Sequence, residues 1–259
     1  MLKISCVQLE VKYGMKKEDM IDHTLSILDK CRGDDLIVLP ELWNVGFSSY
    51  DRYPDIAEPL DGITSSAISA KAKEIKSCIF SGSFVEKNGG KIFNTGIFFD
   101  RDGVNLGVYR KIHRFEYHSR EADVVSPGHG PTVVDTEFGK IGLAICYDIR
   151  FPEQFWKMSI DMGAEFFLIA AAWPYPRIEA WNILNQARAM ENVCFLASAN
   201  LVGSNRGIIL GGHSQIVDPW GYLLAGCGYE ETVIRTEINK EDLMGIREVF
   251  PDRHRRMSC

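Results

Sequence analysis

The chain has 259 residues, 46% of them apolar and 25% charged, with 29 Lys and Arg against 35 Asp and Glu. That composition suits one large globular domain or two small ones, and excludes a disordered, collagen-like or solvating chain. A net charge of −6 leaves no general footprint for nucleic acid, and the longest apolar stretch, Phe166–Trp173, falls well short of the roughly 20 residues a spanning helix needs.

In chain order, residues 2–9 predict a strand and 16–32 a helix, with Met20, Ile21, Thr24, Leu25 and Leu28 at helical spacing. Leu36–Leu39 is a short buried strand stopped by Pro40, and 64–76 a helix. Strands follow at 78–86, 94–100 and 104–109, joined by turns at Asn88-Gly89-Gly90 and Arg101-Asp102-Gly103. The stretch 110–131 reads as a long loop, a feature usually tied to function. Then come strands 132–135 and 140–145, helix 152–162, strand 165–171, helix 177–191 and strand 193–200. A glycine-rich loop covers 201–212, strands near 213–217, 222–226 and 231–237 finish the sheets, and a short helix near 239–246 precedes the tail. Strands 36–39, 141–145 and 166–170 are continuously apolar, as strands covered on both faces must be. The order predicts an α/β fold with two sheets packed face to face and helices outside, in a single domain over 1–259.

The N-terminus lacks the pattern of a signal peptide. Seven cysteines, an odd number without C-x-x-C, suggest free thiols in a reducing cytosol and no structural zinc. The basic run Arg253-His254-Arg255-Arg256 reads as a solvated tail.

Three places put a reactive residue beside a strand end, the preferred site for a ligand crevice in α/β sheets. Glu41 follows Leu36–Pro40, where desolvation would raise its pKa and suit it to base catalysis; a helix cap is the plainer reading. Cys146 follows Ile141–Ile145 and precedes a helix near Pro152, a position expected to lower a thiol pKa and expose the sulfur; a buried core cysteine is the plainer reading. Lys111, at the mouth of the long loop, can donate to a developing oxyanion or belong to a solvated basic stretch. Other chemistries lack their motifs: there is no G-x-S-x-G, no phosphate loop, no G-x-G-x-x-G and no H-E-x-x-H. His113 and His118, with Glu116 and Glu121, are the one local set that could approach a metal.

The ordered set Pro40-Glu41-Leu42, Tyr109-Arg110-Lys111-Ile112-His113 and Cys146-Tyr147-Asp148-Ile149-Arg150-Phe151-Pro152-Glu153 resembles the nitrilase superfamily of carbon–nitrogen hydrolases. Gly82-Ser83-Phe84, Asn94-Thr95-Gly96, Ser126-Pro127-Gly128 and Asp218-Pro219-Trp220-Gly221 extend the resemblance to about residue 250. It implies a four-layer α-β-β-α sandwich that forms a homodimer or a higher homo-oligomer. It implies Cys146 as nucleophile, Glu41 as general base, Lys111 as oxyanion donor and Glu121 as the family's additional glutamate, with no metal or organic cofactor. Tyr147, through its backbone N–H, would share the oxyanion.

Ala171-Ala172-Trp173-Pro174, the run from Arg177 to Ala189 and Glu191-Asn192 resemble the ω-amidase branch, which hydrolyses small ω-amides such as 2-oxoglutaramate. Arg150 is placed to fork a substrate carboxylate, or to pair with Glu153 or Asp148. Trp173 offers an aromatic pocket wall, and His113 joins the substrate-binding set. The expected partner is a small amide in the cytoplasm, with neither nucleic acid nor membrane. The alternatives are an N-carbamoyl hydrolase, a nitrilase, or a non-catalytic partner-binding member. Two features depart from the branch: the loop 113–125, and a C-terminus without the family's Arg-Arg-Pro ending.

Overall fold

The computed structural model describes residues 1–12 and 14–250; the basic run 253–256 and Cys259 lie outside the described residues. Two sheets organise the chain. The first holds β1 (Leu2–Gln8), β3 (Leu36–Val38), β4 (Cys78–Phe80), β5 (Phe84–Asn88), β6 (Lys91–Phe99), β7 (Asn105–Arg110) and β16 (Thr232–Ile238). The second holds β8 (Thr132–Thr136), β9 (Gly139–Ile145), β10 (Phe166–Ala170), β11 (Phe195–Ala199), β14 (Gln215–Val217) and β15 (Leu223–Gly226). Each has a parallel centre, β1-β3-β4 in one and β9-β10-β11 in the other, with antiparallel strands outside.

Side-chain alternation sets the layers. Leu36 and Val38 point into the core shared with Ile145, Leu168 and Ala197 of the second sheet. Ile37 and Leu39 point the other way, against Ile21, Ile27 and Leu28 of α1 (Lys17–Leu28) and Ile68 and Ala72 of α3 (Ile63–Ile75). On the far side, α5 (Pro152–Trp156) and α6 (Ile178–Asn192) cover the second sheet, where Phe155 meets Phe167 edge to face. The result is the four-layer α-β-β-α sandwich that the resemblance implies.

The expected strand 78–86 is broken. Thr95 of β6 pairs with Phe84 on one edge and Arg110 on the other, while Phe99 pairs with Ile79 and Asn105. β4 and β5 therefore share one edge of β6, interrupted at Ser81-Gly82-Ser83. The break admits the chain that carries Glu41. Gly82 has φ +68°, a Cβ there would lie 2.0 Å from the Pro40 carbonyl oxygen, and Ser83 N–H donates to that oxygen at 3.1 Å. Only glycine tolerates both the left-handed backbone and the close approach.

Short elements escape the sequence pattern. β2 (Glu10–Lys12) pairs with β12 (Val202–Asn205), and β12 with β13 (Ile208–Ile209), so the expected loop 201–212 contains a small third sheet. α2 (Tyr53–Ile56) is a single turn in a stretch to which the sequence pattern assigns no element, and α4 (Glu121–Val124) is a single turn in the expected loop 110–131. The expected helix 152–162 is α5 followed by a π-type turn, Lys157–Asp161. α7 (Lys240–Val249) closes the described chain, capped by the Asn239 side chain.

Candidate active site

Three strand ends meet where the sheets face each other. Glu41 follows β3, Cys146 follows β9, and Ala171-Ala172 follow β10, which packs on β3. Glu41 N–H donates to the Ala171 carbonyl at 3.2 Å, tying the ends together across the interface. Lys111 leaves β7, its N–H bonded to the Asn94 carbonyl at 2.9 Å. Glu121 enters from the long loop on α4.

All three charged side chains are fully buried. Lys111 Nζ donates to Glu41 Oε1 at 2.9 Å and to Glu121 Oε1 and Oε2 at 2.9 and 3.0 Å. Glu41 Oε1 also accepts from Asn94 Nδ2 at 2.8 Å, and Oε2 from Ala172 N–H at 2.9 Å. Glu121 Oε2 accepts from Phe115 N–H at 2.6 Å. Every oxygen of both carboxylates is engaged, as buried charges require.

Cys146 sits beside this cluster with φ +49°, a strained conformation for a non-glycine residue that turns the chain sharply out of β9. Asp148 fixes the turn. Its buried carboxylate accepts from Ile145 N–H at 2.9 Å, Tyr109 Oη at 2.6 Å, and His113 N–H and Nδ1 at 3.0 and 2.9 Å. One carboxylate thus couples the segment bearing the thiol to the segment bearing Lys111.

The electrostatics reverse one expectation. Only 5% of Cys146 is exposed, and its pKa lies well above the ordinary thiol value. Burial is the largest cause; the Glu41 carboxylate adds to it, while Lys111 and the Ala172 N–H oppose it. A short 3-10 turn, Cys146–Arg150, follows the thiol, and its end cannot outweigh those effects. Burial works against the Lys111 ammonium, yet Glu121 and Glu41 carry its pKa well above the usual lysine value. Burial raises Glu121, with Lys111 opposing. The resting site is therefore a neutral thiol beside an ammonium and two carboxyl groups.

This arrangement predicts the effect of Glu41→Gln on the sulfur. Removing the nearby negative charge while Lys111 stays should lower the Cys146 pKa. The pH profile of Cys146 alkylation by iodoacetamide, read by peptide mass, should move to lower pH in the variant. Coincident profiles would show that Glu41 does not set the thiol's state.

A slot with a cavity volume of about 20 Å³ stands over Cys146, lined by Tyr147, Arg150, Ala172 and Trp173 and closed by Phe47, Phe115, Pro174 and Arg177. Those last four residues also border an outer groove of about 560 Å³. Tyr147 packs edge-on against Phe115 at 5.2 Å. The Arg150 guanidinium lies 5.1 Å from the centre of the Trp173 ring, and among the described residues it forms no ion pair with Glu153 or Asp148. His113 is placed elsewhere: its ring stacks on Phe151 at 3.6 Å and bonds Asp148, outside the slot lining. Among the described residues, no group of three His, Cys, Asp or Glu is placed to hold a metal ion.

Asn94, Phe47 and Phe115 were given no role by sequence reasoning, and Asp148 only that of a candidate partner for Arg150. Asn94 and Asp148 had a signal, their places in Asn94-Thr95-Gly96 and Cys146-Tyr147-Asp148; Phe47 and Phe115 become visible only through contacts distant in sequence.

Known proteins share this architecture and sequence. A 2-oxoglutaramate amidase of Bacillus subtilis is 35% identical over 96% of this chain and 95% of its own length. One from Paenarthrobacter nicotinovorans is also 35% identical, over 96% of this chain and 87% of its own. An omega-amidase of Xenopus laevis is 33% identical over 98% and 94%. A carbon–nitrogen hydrolase superfamily protein of Xanthomonas campestris, solved with an arsenic adduct in its active site, superposes with a TM-score of 0.90 at 30% identity, covering 97% of this chain and 96% of its own. A Saccharomyces cerevisiae member of branch 10 of the nitrilase superfamily gives 0.88 at 28% identity, over 96% and 94%. The carbon–nitrogen hydrolase family model matches residues 3–248, so nearly the whole sandwich, with the Glu41, Lys111 and Cys146 strand ends inside it, is accounted for by one family. The chain belongs to the carbon–nitrogen hydrolases of the nitrilase superfamily.

Proposed function

We propose that the protein is a cysteine amidase of the ω-amidase type, which cleaves a small carboxylate-bearing primary amide to the acid and ammonia. The observation that carries the reading is the buried Glu41–Lys111–Glu121 cluster beside the Cys146 thiol. The 2-oxoglutaramate amidases and omega-amidase among the relatives support the substrate class.

The raised thiol pKa determines the order of events. Attack needs a base, because no thiolate stands ready. Glu41 takes the thiol proton as the sulfur adds to the amide carbon, so the proton shift creates no net charge in a dry site. Lys111 Nζ and the Tyr147 N–H, which stands in the first turn of the 3-10 segment Cys146–Arg150 and so lacks an intrahelical partner, hold the oxyanion. The tetrahedral adduct collapses, the C–N bond breaks, and Glu41 returns its proton to the departing nitrogen. Ammonia leaves and a thioester remains. Water, deprotonated by Glu41, then attacks the thioester; the C–S bond breaks, the thiol regains its proton, and the carboxylic acid departs. Glu121 keeps Lys111 charged throughout. Asp148, with His113 and Tyr109, positions thiol against ammonium.

The slot has room for about one water molecule. An amide reaches the sulfur when Phe47 and Phe115 move apart. Arg150, exposed and stacked on Trp173, takes the substrate carboxylate. Arg150→Ala should therefore cost about 10–100-fold in kcat/KM on succinamate and far less on butyramide, the loss expected of one charge-assisted fork. Equal losses on both would make Arg150 a structural residue.

Ammonia release from 2-oxoglutaramate, succinamate, glutamine, an N-carbamoyl amino acid, a neutral amide and a nitrile tests the whole reading. Preference for the first two supports it. Preference for the carbamoyl compound or the nitrile replaces it with the corresponding activity.

Exposed apolar side chains on Ile183 and Met190 of α6 continue into Tyr222 and Leu223 across Gly221, which lies against Met190. A second copy of the chain suits that face, giving a homodimer. Cys6, Cys31 and Cys78 form no disulfide, in keeping with a cytoplasmic protein. Among the described residues, no helix is long and apolar enough to cross a membrane.

A further inference from the structure

We propose that Arg177 is a second carboxylate receptor at the mouth of the slot, and that it extends the substrate range to ω-amides whose carboxylate lies well beyond the reach of Arg150. The proposal rests on the amidase reading and adds a specificity-determining residue to it.

Arg177 is built into a rigid place. Pro174 precedes the 3-10 turn Tyr175–Arg177 and Pro176 lies within it, Arg177 N–H donates to the Pro174 carbonyl at 3.1 Å, and the Arg177 carbonyl accepts from Trp173 Nε1 at 2.8 Å. The helix α6 starts one residue later. The backbone of Arg177 is therefore locked to a wall of the slot through Trp173.

Its side chain is aimed and uncompensated. The guanidinium lies 5.1 Å from the centre of the Phe115 ring and 6.0 Å from that of Tyr117. A guanidinium seated on an aromatic face keeps its in-plane N–H groups for a second ligand, and those groups match a carboxylate in pairs. Among the described residues, no Asp or Glu lies within ion-pairing distance of it. A half-buried cation without a counter-charge is costly unless a ligand supplies one.

Position separates the two arginines. Arg150 borders the slot alone, whereas Arg177 borders both the slot and the outer groove. The groove measures about 560 Å³, within the range of small-ligand pockets and far larger than a four- or five-carbon ω-amide needs. Its walls are aromatic and apolar, such as Tyr50, Phe115 and Ile208, and no Asp or Glu lines it; of its three arginines, Arg120 pairs with Asp123 at 3.5 Å and Arg206 with Asp51 at 2.6 Å, which leaves Arg177 as the one without a carboxylate partner among the described residues. The Arg177 charge at the end of apolar walls fits a flexible methylene chain ending in a carboxylate. The occupant is thus the distal part of the same amide substrate, with its amide at Cys146, its chain past Phe115 and its carboxylate on Arg177.

Binding isolates this claim from turnover. Cys146→Ala and the Cys146→Ala/Arg177→Gln double variant are titrated calorimetrically with the monoamides of the four-, six- and seven-carbon dicarboxylic acids, and with neutral amides of matched length. The expected result is a loss of about 10–100-fold in affinity for the six- and seven-carbon monoamides in the double variant. The loss on the four-carbon monoamide, which Arg150 holds, should be clearly smaller, and Arg177→Lys should restore part of the long-chain affinity. An equal loss on neutral and anionic ligands overturns the proposal, since Arg177 would then only shape the wall. So does a loss independent of chain length, or none. If Cys146→Ala binds the four-carbon monoamide and the wild type hydrolyses it while Arg177 proves immaterial, the extended range fails and the amidase reading stands. If no ligand binds and no amide is hydrolysed, the amidase reading fails and takes Arg177 with it.

Discussion

Cys146→Ala should lower amide turnover by about 10⁴-fold or more, the scale on which nucleophile removal operates in a preorganised hydrolase. The fold should survive. Deleting the thiol leaves Glu41 with Lys111 and Asn94 on Oε1 and the Ala172 N–H on Oε2, so no buried charge is orphaned. The turn out of β9 is held by Asp148 rather than by the sulfur, and alanine meets the same left-handed backbone that cysteine already tolerates. Stability should change by about 1 kcal/mol at most. Cys146→Ser is the sharper variant. A hydroxyl is much harder to deprotonate than a thiol, so Glu41 cannot activate it to the same degree, and turnover should fall by a comparable factor with the geometry intact. Ammonia release by both variants, with thermal unfolding as the control for folding, reads the outcome. Residual activity above a tenth of wild type in either variant would remove Cys146 from the nucleophile's role.

The parts of this site that were legible in the sequence are those set by a strand and the residue after it. Leu36–Leu39 and Ile141–Ile145 are apolar on both faces, so they had to be central strands. Glu41 and Cys146 then stand where the chain leaves the sheet. The layers followed for the same reason, since alternate residues of β3 feed two different cores. What stayed hidden depends on pairs far apart in the chain. Lys111 meets Glu41 across 70 positions, and no local pattern reports that its ammonium is shared between two carboxylates. The thiol's pKa is the clearest case. A helix start after Cys146 suggested a lowered value, but the direction is set by burial between two sheets and by the charge of Glu41, both tertiary facts. The small third sheet was illegible because β13 is two residues long and β12 lies in glycine-rich sequence, too short for any period to declare itself. His113 stands in a motif with Lys111, yet the chain has left the strand at Arg110, and the His113 ring bonds Asp148 and stacks on Phe151 rather than entering the slot.

Lys111→Met should show how much of the site's stability the lysine supplies, and its pH dependence is fixed in sign. The substitution leaves Glu41 and Glu121 buried with no counter-ion, the situation that costs about 3–5 kcal/mol when one partner of a buried pair is removed. The carboxyls respond by holding protons. Burial already raises Glu121, and Lys111 is the main influence opposing that rise; without it the folded-state pKa climbs further above the unfolded value of about 4.3. A carboxyl with a raised folded-state pKa favours the folded chain fully below its unfolded value, and that advantage is lost as pH rises through the folded value. Urea unfolding of Lys111→Met should therefore show a small deficit against wild type near pH 5 and a large one near pH 8. Adding Glu121→Gln removes one of the two carboxylates, so Lys111→Met/Glu121→Gln should recover much of the stability at pH 8. Activity should not return with it. The oxyanion still lacks its charged donor, a loss of about 10²–10³-fold in kcat even in a folded enzyme. A pH-independent deficit would show that Lys111 stabilises by packing its methylenes rather than by its charge. Recovery of turnover in the double variant would show that the oxyanion is held by backbone N–H groups, and that the ammonium serves only to keep two carboxylates in one buried place.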